Sequence, residues 1–192
     1  MSSSEGFRAL TEGEKFYYVL HPMPTVVIVT ICASGKVNAM PASWVTPVAE
    51  EPPSIGVAVD KNSFTRECLD EAGEATVNVP SFEQAELVYS LGTVSGRDVD
   101  KPARFGLRLA RGEAVRAPRW LDALASLECR VESKLDAGDT IFYLLRVERV
   151  WVRSDLFERY GWNMSKTSTL LHGSGRTFFS VGKMRRVQGL RA

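Results

Sequence analysis

Between residues 127 and 135 apolar and charged side chains alternate. Leu127, Cys129, Val131 and Leu135 interleave with Glu128, Arg130, Glu132 and Lys134. A period of two puts one set on each face of an extended chain, so this stretch predicts a half-buried strand with one wet face. Asp136-Ala137-Gly138-Asp139 turns the chain, and Thr140–Val152 (TIFYLLRVERVWV) returns as a second long strand. Such a hairpin must bury its apolar face against other strands, and the first third of the chain supplies them. Residues 25–33 (TVVIVTICA) are rich in β-branched side chains, residues 37–46 (VNAMPASWVT) read as a return strand, and residues 54–60 (SIGVAVD) and 74–79 add two more. Pro41 lies inside the second run and requires an edge position or a bulge.

Helices are few. Ser63 reads as the N-cap of a helix ending at Gly73, and Ser81-x-x-Gln84 fits a capping box that opens a helix to about residue 90. Residues 92–106 form a long, charged, Gly-containing loop, of a length usually tied to function. The βαβ alternation of a doubly wound sheet is missing, so the chain reads as mainly β with short helices, an antiparallel six-stranded barrel. One domain is expected over all 192 residues, with residues 1–20 as a leader frayed at 1–6 and residues 153–192 as a carboxy-terminal extension.

Composition removes several classes of function. A net charge of +1 gives no basic field to attract nucleic acid. Residues 26–33, the longest apolar run, are far short of a membrane span. The first residues lack the basic and apolar regions of a secretory signal. Three cysteines without a CxxC read as thiols of a reduced, soluble, cytoplasmic protein, with Cys32 and Cys129 in the core and Cys68 on a helix. There is no GxGxxG, no GxxxxGK[ST], no GxSxG and no HExxH, and His21 and His172 stand far apart, so no metal site is expected. A Cys/His nucleophile pair stays open on these grounds.

Four polar segments carry the positive signal: residues 38–46, 61–65, 78–81 and 95–101. Ser63 and Thr65 at a helix start offer hydroxyls, free amides and a positive dipole end, a natural anion site. Lys61 or Lys101 could neutralise a phosphate. Asn78 offers donor and acceptor together, and Trp44 an aromatic face.

The order N-x-M-x-x-S-W-x-T (38–46), a strand led by Pro52-Pro53, S-F-T (63–65), V-N-V-P (77–80) and S-G-R-D-x-D-K (95–101) resembles the flavin reductase-like, FMN-binding split-barrel family. That family includes flavoredoxins, archaeal ferric reductases and the reductase components of two-component monooxygenases. The resemblance is close over residues 22–101 and looser through 127–131, 138–139 and 171–175. It implies a six-stranded split barrel with noncovalent FMN. Ala42, Ser43, Trp44, Val45 and Thr46 would run along the flavin, and Ser63, Phe64 and Thr65 would hold the phosphate. Asn78, Val79, Pro80 and Ser81 would lie against the ring or ribityl chain, and Ser95, Gly96 and Lys101 would close the site. Asn38 and Thr25 would add contacts, and His172 would lie at the ring as the catalytic side chain. The chain departs from the family at Gly173-Ser174-Gly175, where consecutive glycines followed by an aromatic are frequent.

The activity so implied is NAD(P)H-dependent reduction of free flavin or ferric complexes through bound FMN, in a homodimer, with NADH or NADPH as donor. The alternative is an FMN-containing electron carrier reduced by a protein partner. A barrel serving only as an interaction module is a third reading. Neither nucleic acid nor membrane is an expected partner.

Overall fold

The computed structural model describes residues 6–183; residues 1–5 of the expected leader and 184–192 of the expected extension lie outside the described residues. Seven strands build the main sheet: β1 (Val26–Ile31), β2 (Val37–Ala42), β3 (Val45–Glu50), β4 (Pro53–Asp60), β5 (Glu74–Val79), β6 (Ala125–Ala137) and β7 (Thr140–Val152). Their spatial order is β2-β1-β5-β6-β7-β4-β3, and every neighbouring pair is antiparallel. The expected count of six is corrected to seven because residues 37–46 do not form one strand. The chain breaks at Ser43-Trp44, and its two halves become the two edges of the sheet. Pro41 sits on the edge strand β2, where its missing N–H breaks no interior ladder.

That break also sets the shape. Seven flat strands would hold their edges roughly 29 Å apart at about 4.8 Å per spacing. Yet the end of β2 and the start of β3 are separated by two residues, a reach of at most about 11 Å at 3.8 Å per step. The sheet therefore rolls until its edges converge at Ser43-Trp44. No ladder among the described residues joins β2 to β3, so the roll stays open along that seam.

Two apolar clusters occupy the two faces of β1. Val26 and Ile28 pack inside the roll with Val57, Val59, Val77, Cys129, Tyr143 and Leu145. Val27 and Val29 pack outside it with Ala39, Val88, Leu91, Trp120 and Leu170. Burial on both faces is why this strand reads as an unbroken apolar run.

Helix α1 (Phe64–Ala72) begins as expected: the Ser63 hydroxyl accepts from the Arg66 amide at 3.1 Å, and Gly73 closes it at φ +66°. Cys68 on this helix is joined to Cys32 by a disulfide, which corrects the reading of all three cysteines as reduced thiols. The sequence separation of 36 hides the contact in sequence; α1 folds back across the end of β1 and brings the pair together. Ser81 and Gln84 form the capping box, leading through a short 3-10 turn into α2 (Ala85–Gly92). The long loop that follows contains a helix of its own, α3 (Lys101–Phe105), capped by Asp100.

The alternation on β6 has two exceptions. Leu135, expected on the apolar face, is 65% exposed. Glu128, expected on the wet face, is fully buried. It accepts from the backbone amides of Glu113, Ala114 and Val115 and from the Trp151 indole. The segment before β6 lies over that face and excludes water from it.

Candidate functional site

Three adjoining clefts form one branched groove on the rolled sheet. The first arm, about 370 Å³, is lined by Asn38, Ser63, Phe64, Thr65, Ser95, Gly96 and Lys101, together with Asn62, Thr93 and Arg97. The second, about 470 Å³, is lined by Ala42, Ser43, Trp44 and His172, and by Tyr17, His21, Asp60 and Asp139. A third, about 360 Å³, bridges them: it shares Gly92 and Thr93 with the first and Pro41, Ser43, His172 and Gly175 with the second.

The first arm follows from local chemistry. Thr65 is 1% exposed, and its hydroxyl accepts from the Asn38 side-chain amide at 2.8 Å, leaving its own hydrogen to donate. Asn38 in turn keeps its Oδ1 buried and without a partner. A folded protein pairs nearly all buried polar atoms, and this acceptor is an exception among the residues lining the groove. Gly96 lets the loop close here, since a Cβ at that position would lie 2.1 Å from Asn38 Oδ1 and 2.9 Å from the Phe64 ring. Arg97 stacks over Phe64 while it pairs with Glu67 at 2.5 Å.

Of the two candidate cations, the fold brings only one to the groove. Lys61 is turned away and bound by Asp136 at 2.7 Å. Lys101 is 4% exposed and donates to the carbonyls of Ala39 at 2.9 Å and Leu91 at 2.8 Å. Burial pulls its ammonium down to about 8.

The second arm rests on the corner between β2 and β3. Ala42, Ser43 and Trp44 line it, whereas Val45 packs against the inner core and Thr46 faces solvent. Along β3 only Val45 is sheltered, and the rest of this edge strand is exposed. His172 lies opposite, on a two-residue strand (Leu171–His172) that pairs with Met23–Pro24. Thr25 lines the bridging cleft with its buried hydroxyl unpartnered.

Residues 78–81 stand away from the groove. Asn78 is fully buried and saturated, donating to the Val27 carbonyl and accepting from the Trp120 amide and the Ser126 hydroxyl. Val79 accepts from the Leu124 amide, Pro80 from the Leu170 amide, and Ser81 caps its own turn. The sequence reading missed His21, Tyr17, Tyr89 and Phe178, which reach the groove from the two ends of the described chain and from α2. Only the Met23–Pro24 ladder to Leu171–His172 reveals the first pair beside His172. No group of three or more metal-ligating side chains occurs among the described residues.

The chain has relatives among known proteins and solved structures. The family model described as flavin reductase like domain matches residues 18–178. The chain is 32% identical over 170 residues to YddH of Escherichia coli strain K12, an uncharacterised protein, covering 86% of this chain and 90% of that one. It is 28% identical over 132 residues to the NADH-dependent FMN reductase AsuE2 of Streptomyces nodosus subsp. asukaensis, covering 67% and 69%. Among solved structures it superposes on an FMN-binding protein from Thermus thermophilus with a TM-score of 0.82 and 26% identity, covering 94% and 98%. That protein has been solved with 1-cyclohex-2-enone and with p-hydroxybenzaldehyde bound. Flavoredoxin from Methanosarcina acetivorans matches with a TM-score of 0.83 and 26% identity, covering 95% of each chain.

Proposed function

Because the chain belongs to the flavin reductase-like domain family, whose structural relatives include FMN-binding proteins, we propose that it is an FMN-dependent oxidoreductase taking electrons from NADH or NADPH. The observation that carries this reading is the first arm of the groove. A helix start, the Ser63 and Thr65 hydroxyls, a buried ammonium and an unpartnered Asn38 oxygen converge there, next to a wider cleft lined by rings. These residues fit one phosphate and a hydroxylated chain. FMN, when bound, supplies the electron-transfer chemistry. Ser63, Phe64 and Thr65 bind its phosphate, Lys101 balances that charge, Asn38 accepts from the ribityl hydroxyls, and Ser43-Trp44 with His172 enclose the ring. Ser95 and Gly96 close the phosphate arm against water. The active form in this proposal is a homodimer, and its electron acceptors are free flavin or a ferric complex.

Stopped-flow mixing with NADH or NADPH tests the donor: the flavin absorbance should bleach in the main turnover phase. The likeness to flavoredoxin favours a second reading, an electron carrier reduced by a protein partner, in which neither nicotinamide bleaches the flavin. The phosphate assignment is tested separately. Ser63→Ala with Thr65→Ala removes two charge-assisted hydrogen bonds worth roughly 1.5–3 kcal/mol each. The dissociation constant for FMN should then rise by about two orders of magnitude or more, at about 1.4 kcal/mol per decade. Riboflavin, lacking the phosphate, should bind the double variant as it binds the wild type. An undiminished preference for FMN would reject these residues as the phosphate cradle.

A further inference from the structure

One side chain joins two walls of the phosphate arm. Residues 62–65, at the start of α1, form one wall, and residues 92–97 of the long loop form the other. The loop is fixed at its ends: it leaves α2 at Gly92, and Lys101 beyond it is held by the carbonyls of Ala39 and Leu91. Its middle is held by Arg97. That guanidinium donates to the Asn62 carbonyl at 3.0 Å and to the Glu67 carboxylate at 2.5 Å, and it stands over the Phe64 ring at 5.7 Å. Lys36, in the turn between β1 and β2, adds to the fastening. Its ammonium donates to the Arg97 carbonyl at 3.0 Å and lies 5.5 Å from the same ring. Gly96 is buried, whereas the Arg97 side chain is 42% exposed and that of Glu67 36%. Glu67 does not line the arm, so the ion pair fastens the walls from their outer side.

We propose that Arg97 is a clasp governing FMN exchange, holding the loop over the seated phosphate. The proposal rests on the reading of the groove as an FMN site. An exposed ion pair by itself holds a surface weakly. Arg97 adds a main-chain carbonyl and a ring to that pair, so one side chain, ordered once, secures three points of contact. A phosphate between the walls passes out between them only when the loop lifts, and the loop lifts only when these contacts break together. A residue that fastens the walls without gripping the ligand acts on the barrier alone. Entry and exit then change by the same factor, and their ratio, the dissociation constant, stays where it was. This separates Arg97 from Ser63 and Thr65, whose removal moves the constant itself.

The test measures both rates. Radiolabelled FMN on the loaded protein is chased with unlabelled FMN for exit, and quenching of flavin fluorescence on stopped-flow mixing gives entry. Arg97→Met removes the guanidinium but keeps an unbranched chain beside Phe64. Glu67→Gln weakens the clasp at a residue that does not line the arm. Arg97→Met should speed entry and exit by about tenfold each, and Glu67→Gln by about threefold each, with the dissociation constant unchanged within about twofold. A higher constant for FMN with entry unmoved and riboflavin affinity intact would make Arg97 a phosphate ligand and overturn the clasp. Unmoved rates in both variants would overturn it outright. If Arg97→Met loses affinity for riboflavin and FMN alike, its arm has collapsed and Glu67→Gln decides alone: equal rises in both rates support the clasp, and unmoved rates reject it. A wild-type protein that takes up no flavin would overturn the function proposed above, and the clasp with it.

Discussion

Lys101 shows how one residue links burial to ligand charge. Its ammonium has two carbonyl acceptors and no ion-pair partner among the described residues, and burial lowers it to about 8. Below that pH the side chain is a cation lining the phosphate arm; above it the charge is gone. FMN affinity should therefore be highest below pH 8 and fall by about tenfold as pH rises through it, the scale of a charge-assisted hydrogen bond. Fluorescence titrations from pH 6 to 9.5 should show this step for FMN, none for riboflavin, and none for Lys101→Met. At this scale the sequence was legible where chemistry is local. Ser63 and Thr65 could be read as a helix start because capping depends on neighbours in the chain. Asn78 could not be placed, because an amide on a strand buried on both faces looks the same whether it faces a ligand or the Trp120 amide. His21 was illegible for the opposite reason: the ring that brings it to the groove, His172, lies far along the chain.

At the scale of elements, Glu128 fastens the segment ahead of β6 to the sheet. Burial pushes its carboxyl up, but the amides of Ala114, Val115 and Glu113 and the Trp151 indole, all donating to the charged form, hold it below the usual carboxylate range. A carboxyl lowered by folding contributes stability above its unfolded value near 4.5, and that contribution fades as pH falls through the folded value. Glu128→Ala should lower unfolding free energy at neutral pH by about 3 kcal/mol, since it leaves several buried donors unmet. Urea denaturation at pH 7 and pH 4 should show a smaller gap between variant and wild type at the lower pH. Alternation marked β6 correctly as a strand yet put Glu128 in water, because period counting does not see what covers a face. The disulfide between α1 and the end of β1 is equally non-local. Denatured, unreduced protein should present one reactive thiol, Cys129, and three after reduction. In the native protein that thiol should resist alkylation, being buried and pushed up to about 12.

For the molecule as a whole, the decisive feature is the two-residue corner at Ser43-Trp44 joining the outermost strands of a seven-stranded sheet. Inserting two glycines between these residues should leave the β1-β5-β6-β7-β4 ladders in place, with near-native far-UV circular dichroism. It should weaken FMN binding by tenfold or more, because the ring arm takes its wall from that corner. The sequence read residues 37–46 as one continuous strand, since Pro41 and a polar Ser-Trp step signal irregularity without saying that the sheet divides there. The corner also has a kinetic meaning. Residues 42 and 45 are chain neighbours at opposite ends of the sheet order, so they reach their native places only after the five strands between them have paired. Long-range pairing of this kind makes folding slow, and a groove finished last can be occupied only by a ligand that arrives after the rate-limiting barrier. FMN added to refolding protein should thus leave the folding rate constant unchanged and slow unfolding alone.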